Sequence, residues 1–86
     1  MMQAAQIDRN SRVTHYVVQS YRKMGKRIVP DEPRVAADER QCLRMAEAAA
    51  GRRHAVIAFS RTGDADTGDF DDPVILATHG DVPEMG

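Results

Sequence analysis

A single cysteine, Cys42, stands in the 86-residue chain, which excludes an internal disulfide, and no Cys/His set shows zinc-finger spacing. Tryptophan is absent, many of the hydrophobic residues are alanine and only four aromatic residues occur, Tyr16, Tyr21, Phe59 and Phe70, so the deep apolar surface must come mainly from Val, Ile and Leu and the core will be thin. No stretch approaches the roughly 18 apolar residues that a membrane helix needs. The opening MMQAAQIDRNSR lacks the basic start and apolar run of a secretion signal, and the expectation is a cytoplasmic protein. No base follows Arg61. All twelve Lys and Arg lie between Arg9 and Arg61 against six acids there, while residues 62–86 hold seven acids, so a net charge of −1 hides regions of +6 and −7. Such asymmetry steers encounters with partners but names no reaction.

A chain of this length builds one core, burying only about 60–65% of its unfolded surface, and oligomerisation is a common source of further stability at this size. The expectation is a single domain over residues 13–79 between a flexible N-terminal segment, 1–12, and a C-terminal tail, 80–86.

Val13–Tyr21 (VTHYVVQSY) is rich in β-branched and aromatic residues and predicts a first strand. Gly25, within Arg22–Lys26, supplies a turn, and Lys26–Val35 resumes extended character. Pro30 and Pro33 cannot donate to a ladder, so this second segment is expected at an edge or as an irregular arm broken near Pro30. Asp38 and Gln41 are spaced as a capping box, Gly51 is the natural stop, and Cys42, Leu43, Met45, Ala46, Ala49 and Ala50 form a small-residue apolar stripe between them. One helix is predicted there. HAVIAFS (54–60) and PVILAT (73–78) read as an antiparallel hairpin around a loop of about twelve residues, in which TGDAD and TGDFD repeat.

Pairing Arg61 with Asp72 at the base of that loop sets Ile57 opposite Leu76 and Phe59 opposite Val74 on one face. On the other, His54, Val56 and Ala58 would oppose His79, Ala77 and Ile75. Both faces are apolar, one helix covers one of them, and the second needs a cover. Val56, Ala58, Ile75 and Ala77 are therefore the expected homodimer interface.

Five aspartates in nine residues invite a cation, and Asp64, Asp66, Asp69 and Asp71 are the candidate metal ligands. The spacing fails the EF-hand pattern, with Gly68 at loop position five and no glutamate at twelve, so turn chemistry is the competing reading. Arg22, Lys23, Lys26 and Arg27 form the densest basic cluster, a candidate partner-binding patch for an acidic protein surface such as the Asp-rich loop of a second copy, or for phosphates. No nucleic-acid motif accompanies it, and nucleic acid is disfavoured as a partner. His54 and His79 are a candidate site for a small enzyme or metal, although neither acid nor thiol stands at ligand spacing. Cys42 falls on the helix stripe, where a thiol acts as a small hydrophobe. No nucleophile elbow or phosphate-binding glycine loop occurs, so neither catalysis nor a cofactor is expected.

HYVVQSYRKMGKRIVPDEPRVA, DERQCLRMAEAAAG, HAVIAFSRTGD and TGDFDDPVILATHGDVPE together resemble a group of short uncharacterised bacterial proteins over most of residues 14–84. The resemblance implies a bacterial, cytoplasmic accessory role and carries over no activity.

The resulting expectation is an α+β domain of order ββαββ, a four-stranded, mainly antiparallel sheet with one helix. Its leading function is a non-enzymatic protein-interaction module, homodimeric through an apolar sheet face and open to a further protein partner. The alternatives are a nucleic-acid-linked regulator using residues 22–27, and a small enzyme or metal-binding protein using His54 and His79 or the Asp-rich loop.

Overall fold

The computed structural model describes residues 12–83. Its elements are β1 (Arg12–Met24), β2 (Arg27–Pro30), β3 (Arg34–Ala36), α1 (Glu39–Ala50), β4 (Ala55–Asp64) and β5 (Val74–Gly80). The class is α+β; among the described residues one helix lies on an antiparallel sheet, but the strands number five rather than four. The sheet runs β2-β1-β4-β5, with β3 also paired to β1. The fifth strand arises at the prolines. Pro30 closes β2, residues 31–33 leave the ladder, and the chain rejoins the same edge of β1 as β3, pairing Val17 with Val35.

β1 is the longest strand because its far end continues into a tight hairpin. Met24 faces Arg27 across Gly25-Lys26, and Gly25 alone carries a positive φ, +65°, the pattern of a type II′ turn. Gln19 Nε2 donates to the Asp31 carbonyl at 2.6 Å, and the Asp31 amide donates to the Ser20 carbonyl at 2.9 Å. These bonds bind the break between β2 and β3 to β1. The Asp31 carboxylate then accepts from Arg22 at 2.6 Å and from Arg53 at 2.9 Å, tying the hairpin to the segment that follows the helix.

The helix begins and ends where its caps dictate. Asp38 Oδ1 accepts from the Gln41 amide at 2.8 Å, while Gln41 Oε1 reaches one residue further back than in a standard capping box and accepts from the Ala37 amide at 2.6 Å. Gly51 follows the last helical residue. Asp38→Ala removes an oxygen from the helix start and should lower stability by about 1 kcal/mol. In a thermal melt the midpoint should fall by about 4–8 °C, and Asp38→Asn should recover most of it.

β3 and β4 flank β1 and both run opposite to it, so they are parallel to one another and α1 carries the chain over β1. Beneath it lies the core. Cys42 and Ala46 descend from the helix onto Val18, Ala36, Val56 and Ala58 of the sheet, with Met45, Ala49, Leu76 and Ala77 at the margins. Alanine on both surfaces is what lets helix and sheet approach closely. The Cys42 thiol is sealed in this layer, 3.5 Å from the Val17 carbonyl. Burial, assisted by the Glu39 carboxylate and opposed by a hydrogen bond to the Phe59 backbone, holds its pKa above the ordinary value. The thiol remains protonated and unreactive.

The hairpin register differs from the sequence expectation. Ala55 pairs with Gly80, Val56 with His79 and Ala58 with Ala77, two residues further along β5 than expected; a bulge then brings Phe59 opposite Ile75. The cause lies in the loop. β4 continues to Asp64 because Thr62, Gly63 and Asp64 pair with Thr14, Val13 and Arg12 of β1. The Asp-rich segment folds against that extension, with Asp64 N–H bonded to the Asp69 carbonyl and Asp71 N–H to the Thr62 carbonyl.

Of the flexible segments expected at 1–12 and 80–86, residues 1–11 and 84–86 lie outside the described residues. Arg12 opens β1 and Gly80 closes β5, after which Val82 packs on Tyr21, Ala55 and Ile57.

Candidate functional site

Side chains of one sheet face enter the helix-covered core; those of the other make the candidate site. Following the ladder across β3, β1, β4 and β5 on this open face gives one unbroken apolar row: Val35, Val17, Phe59 and Ile75. Val35 is 67% exposed and Ile75 50%, while Val17 and Phe59 are half-buried between them. The adjoining row is Gln19, Ile57 and Thr78, with Ile57 sunk at its centre.

The chain covers both ends of this face itself. At one end Phe70 bridges to Gly63, where its ring lies against bare glycine backbone, stacks on His15 at 5.9 Å between centroids, and receives the Arg61 guanidinium at 5.1 Å. At the other end Gly80, with φ +75°, turns the chain so that Val82 lies on Tyr21, Ala55 and Ile57. Between these covers Val35 and Ile75 stay exposed, with Val17 and Phe59 half-buried between them. An antiparallel sheet with one solvated face ordinarily presents polar side chains there, and this row has none.

The expected interface residues are divided by the structure. Val56 and Ala58, 0% exposed, lie under the helix with Ala77 at the margin, and only Ile75 belongs to the open face. The correction has a steric basis. Of two apolar faces, the helix with its Cys42/Ala46 stripe seats on the one bearing Ala36, Ala58 and Ala77, and the bulkier Ile57, Phe59 and Ile75 are left outside. Val17, Val35 and Phe59 escaped the sequence reading of the site. Complementarity of small residues between helix and sheet was the signal that could have found them.

The other candidates are dispersed. Asp64 Oδ1 accepts from the amides of Asp66 and Thr67, Asp71 pairs with Arg12 at 3.1 Å, and Thr67 Oγ1 accepts from the Asp69 amide. Apart from the Arg12 pair, which ties the loop to the start of β1, these are turn contacts. Among the described residues no three His, Cys, Asp or Glu side chains gather as a metal site would require, so Asp64, Asp66, Asp69 and Asp71 do not form one. The register also removes the cross-strand pair of His54 and His79: His79 faces Val56, and His54 precedes β4, its amide bonded to the Tyr21 carbonyl. His79 instead borders a shallow groove of about 630 Å³ beside Leu43 and Glu47 of the helix.

Arg22 is held by Asp31, which leaves Lys23, Lys26 and Arg27 of the basic cluster exposed at the hairpin tip without an ion pair among the described residues. A cleft of about 600 Å³ between the helix and the β2–β3 connection is lined by Pro33, Arg34, Met45, Ala49, Arg52 and Arg53, among others. Its electrostatics are mixed, because Asp31 and Glu32 share it.

No family model, curated protein or solved structure matches the chain. No helix among the described residues is long and apolar enough to cross a membrane.

Proposed function

We propose that this chain is a non-enzymatic protein-interaction module that self-associates through the open face of its sheet. The observation that carries the reading is the apolar row Val35, Val17, Phe59 and Ile75, exposed at both ends, contiguous over four strands and flanked by two stretches of chain that shield the ends of the face. Contiguous exposed apolar surface on a small domain marks a docking site more often than scattered apolar residues do. A two-fold pair of identical copies supplies a matching apolar surface with no second species, since the patch then meets itself.

Aspartate at Ile75 or Val35, the two exposed ends of that row, places a charge within the contact while leaving the folded core untouched. In sedimentation equilibrium the unaltered chain should dimerise at micromolar to high-micromolar concentration, and Ile75→Asp and Val35→Asp should raise the dissociation constant at least about 100-fold, equivalent to about 2.7 kcal/mol. Both variants should retain a cooperative thermal melt. An unaltered chain that stays monomeric throughout the high-micromolar range would remove the reading.

A further inference from the structure

We infer that the two copies stack face to face with their strands antiparallel, so that the basic hairpin tip of each lies over the Asp-rich loop of the other. The inference rests on the self-association proposed above and adds its geometry. The argument begins with β1, whose thirteen residues span about 40 Å at roughly 3.3 Å per residue. Register fixes what stands at each end. Met24 and Arg27 close the tip carrying Lys23, Lys26 and Arg27, whereas Arg12 faces Asp64, where β4 enters the loop 65–73. The tip end is basic, and the opposite end, with five aspartates against Arg12 and Arg61, is net acidic.

A two-fold axis lying between stacked faces can run along the strands or across them. Along the strands, tip falls on tip and loop on loop, and like charges oppose one another. Across them, tip falls on loop twice, once at each end, and the charge pattern becomes complementary. The available charges suit the second arrangement. Lys23 shares the open face with Tyr21 and Gln19 by strand alternation, and Asp69 and Asp72 are exposed acids of the loop, while Asp71 is already engaged by Arg12.

Size points the same way. Four strands about 4.8 Å apart give a width of roughly 20 Å, and the seven residues of β5, matched at the other edge by β2 and β3 together, give a length of roughly 20 Å, so the face measures about 400 Å² per copy. A stable complex commonly buries about 800 Å² per partner. The sheet face supplies half of that, and the two charged ends lie where the remainder would form.

Two charge-reversed chains test the arrangement: Lys23→Glu/Lys26→Glu/Arg27→Glu, and Asp69→Lys/Asp72→Lys. Each alone should dimerise at least about 10-fold more weakly than the unaltered chain, and an equimolar mixture should recover most of the loss as a mixed dimer. Raising sodium chloride from about 50 to about 500 mM should weaken the unaltered dimer by a comparable factor. Zero-length carbodiimide coupling of the unaltered chain, which joins amine to carboxylate and does not depend on any variant folding, should link Lys23 or Lys26 of one copy to Asp69 or Asp72 of another. A dimer that is indifferent to salt and to both reversals, or that yields no such link, overturns the antiparallel arrangement and leaves self-association standing. Absence of any dimer overturns both.

Discussion

Val56→Asp should leave no cooperatively folded protein at 25 °C, while Ile75→Asp should melt within a few degrees of the unaltered chain. Val56 is fully enclosed in the apolar cluster it forms with Val18, Ala58 and the Cys42/Ala46 side of the helix. Burying an unpaired charge there, or protonating it to avoid the charge, costs about 5 kcal/mol or more. A chain of 86 residues has about 4–13 kcal/mol in all, and this one has a thin core at the lower end of that scale. Ile75 is half-exposed on the opposite face, and the same substitution there should change the stability of the isolated subunit by about 1 kcal/mol at most. Far-ultraviolet circular dichroism during heating and urea titration reads both results. A stable Val56→Asp beside an unfolded Ile75→Asp would mean that the helix lies on the other side of the sheet.

The second large effect is expected at Gly80, where two penalties coincide. Its φ of +75° lies in the left-handed region, which costs a side chain about 1–2 kcal/mol, and a Cβ built there runs into the His54 carbonyl oxygen. The His54 carbonyl leads directly into Ala55, the ladder partner of Gly80, so relief requires shifting the start of β4, for about 1–3 kcal/mol more. Gly80→Ala should therefore cost about 2–4 kcal/mol and lower the melting midpoint by about 10–25 °C. Gly25 is the control. It has a similar φ, +65°, but open space around it, so Gly25→Ala should show the backbone cost alone. Equal effects at the two glycines would contradict the close approach at His54.

Local signals in the sequence were legible because their causes are local. Asp38 and Gln41 mark the helix start within three residues, Gly51 marks its stop, and the structure has the helix at Glu39–Ala50. Gly25 marks the hairpin tip, and the break at Pro30 follows from a missing donor. The split of one extended arm into β2 and β3 was only half legible. Proline ends a strand, but whether the chain then rejoins the same edge depends on the bonds Asp31 makes to Ser20, Gln19, Arg22 and Arg53.

The candidate site was legible as a need and illegible as an address. Two apolar faces and one helix imply one uncovered face, and that follows from counting. Which residues lie on it depends on register, and register depended on how the Asp-rich segment folds against Thr62–Asp64. A displacement of two residues left Val56, Ala58 and Ala77 on one common face. The bulge between Ala58 and Phe59 added a single-residue step that carried Ile75 to the other. Strand alternation makes such a step decisive, because it exchanges buried and exposed sides.

By itself the sequence determined one helix with its caps, a sheet built from β-branched segments, a basic turn and an acidic loop far apart along the chain, and more apolar surface than one helix can cover. Only the tertiary structure decided that the helix takes the alanine-lined face, that Phe70 and Val82 shield the ends of the other, and that Val17, Val35, Phe59 and Ile75 are left in a line. The reason is physical: caps and turns are settled by neighbours in the chain, whereas the choice of face is settled by close packing between segments distant in sequence, which the order of residues does not display.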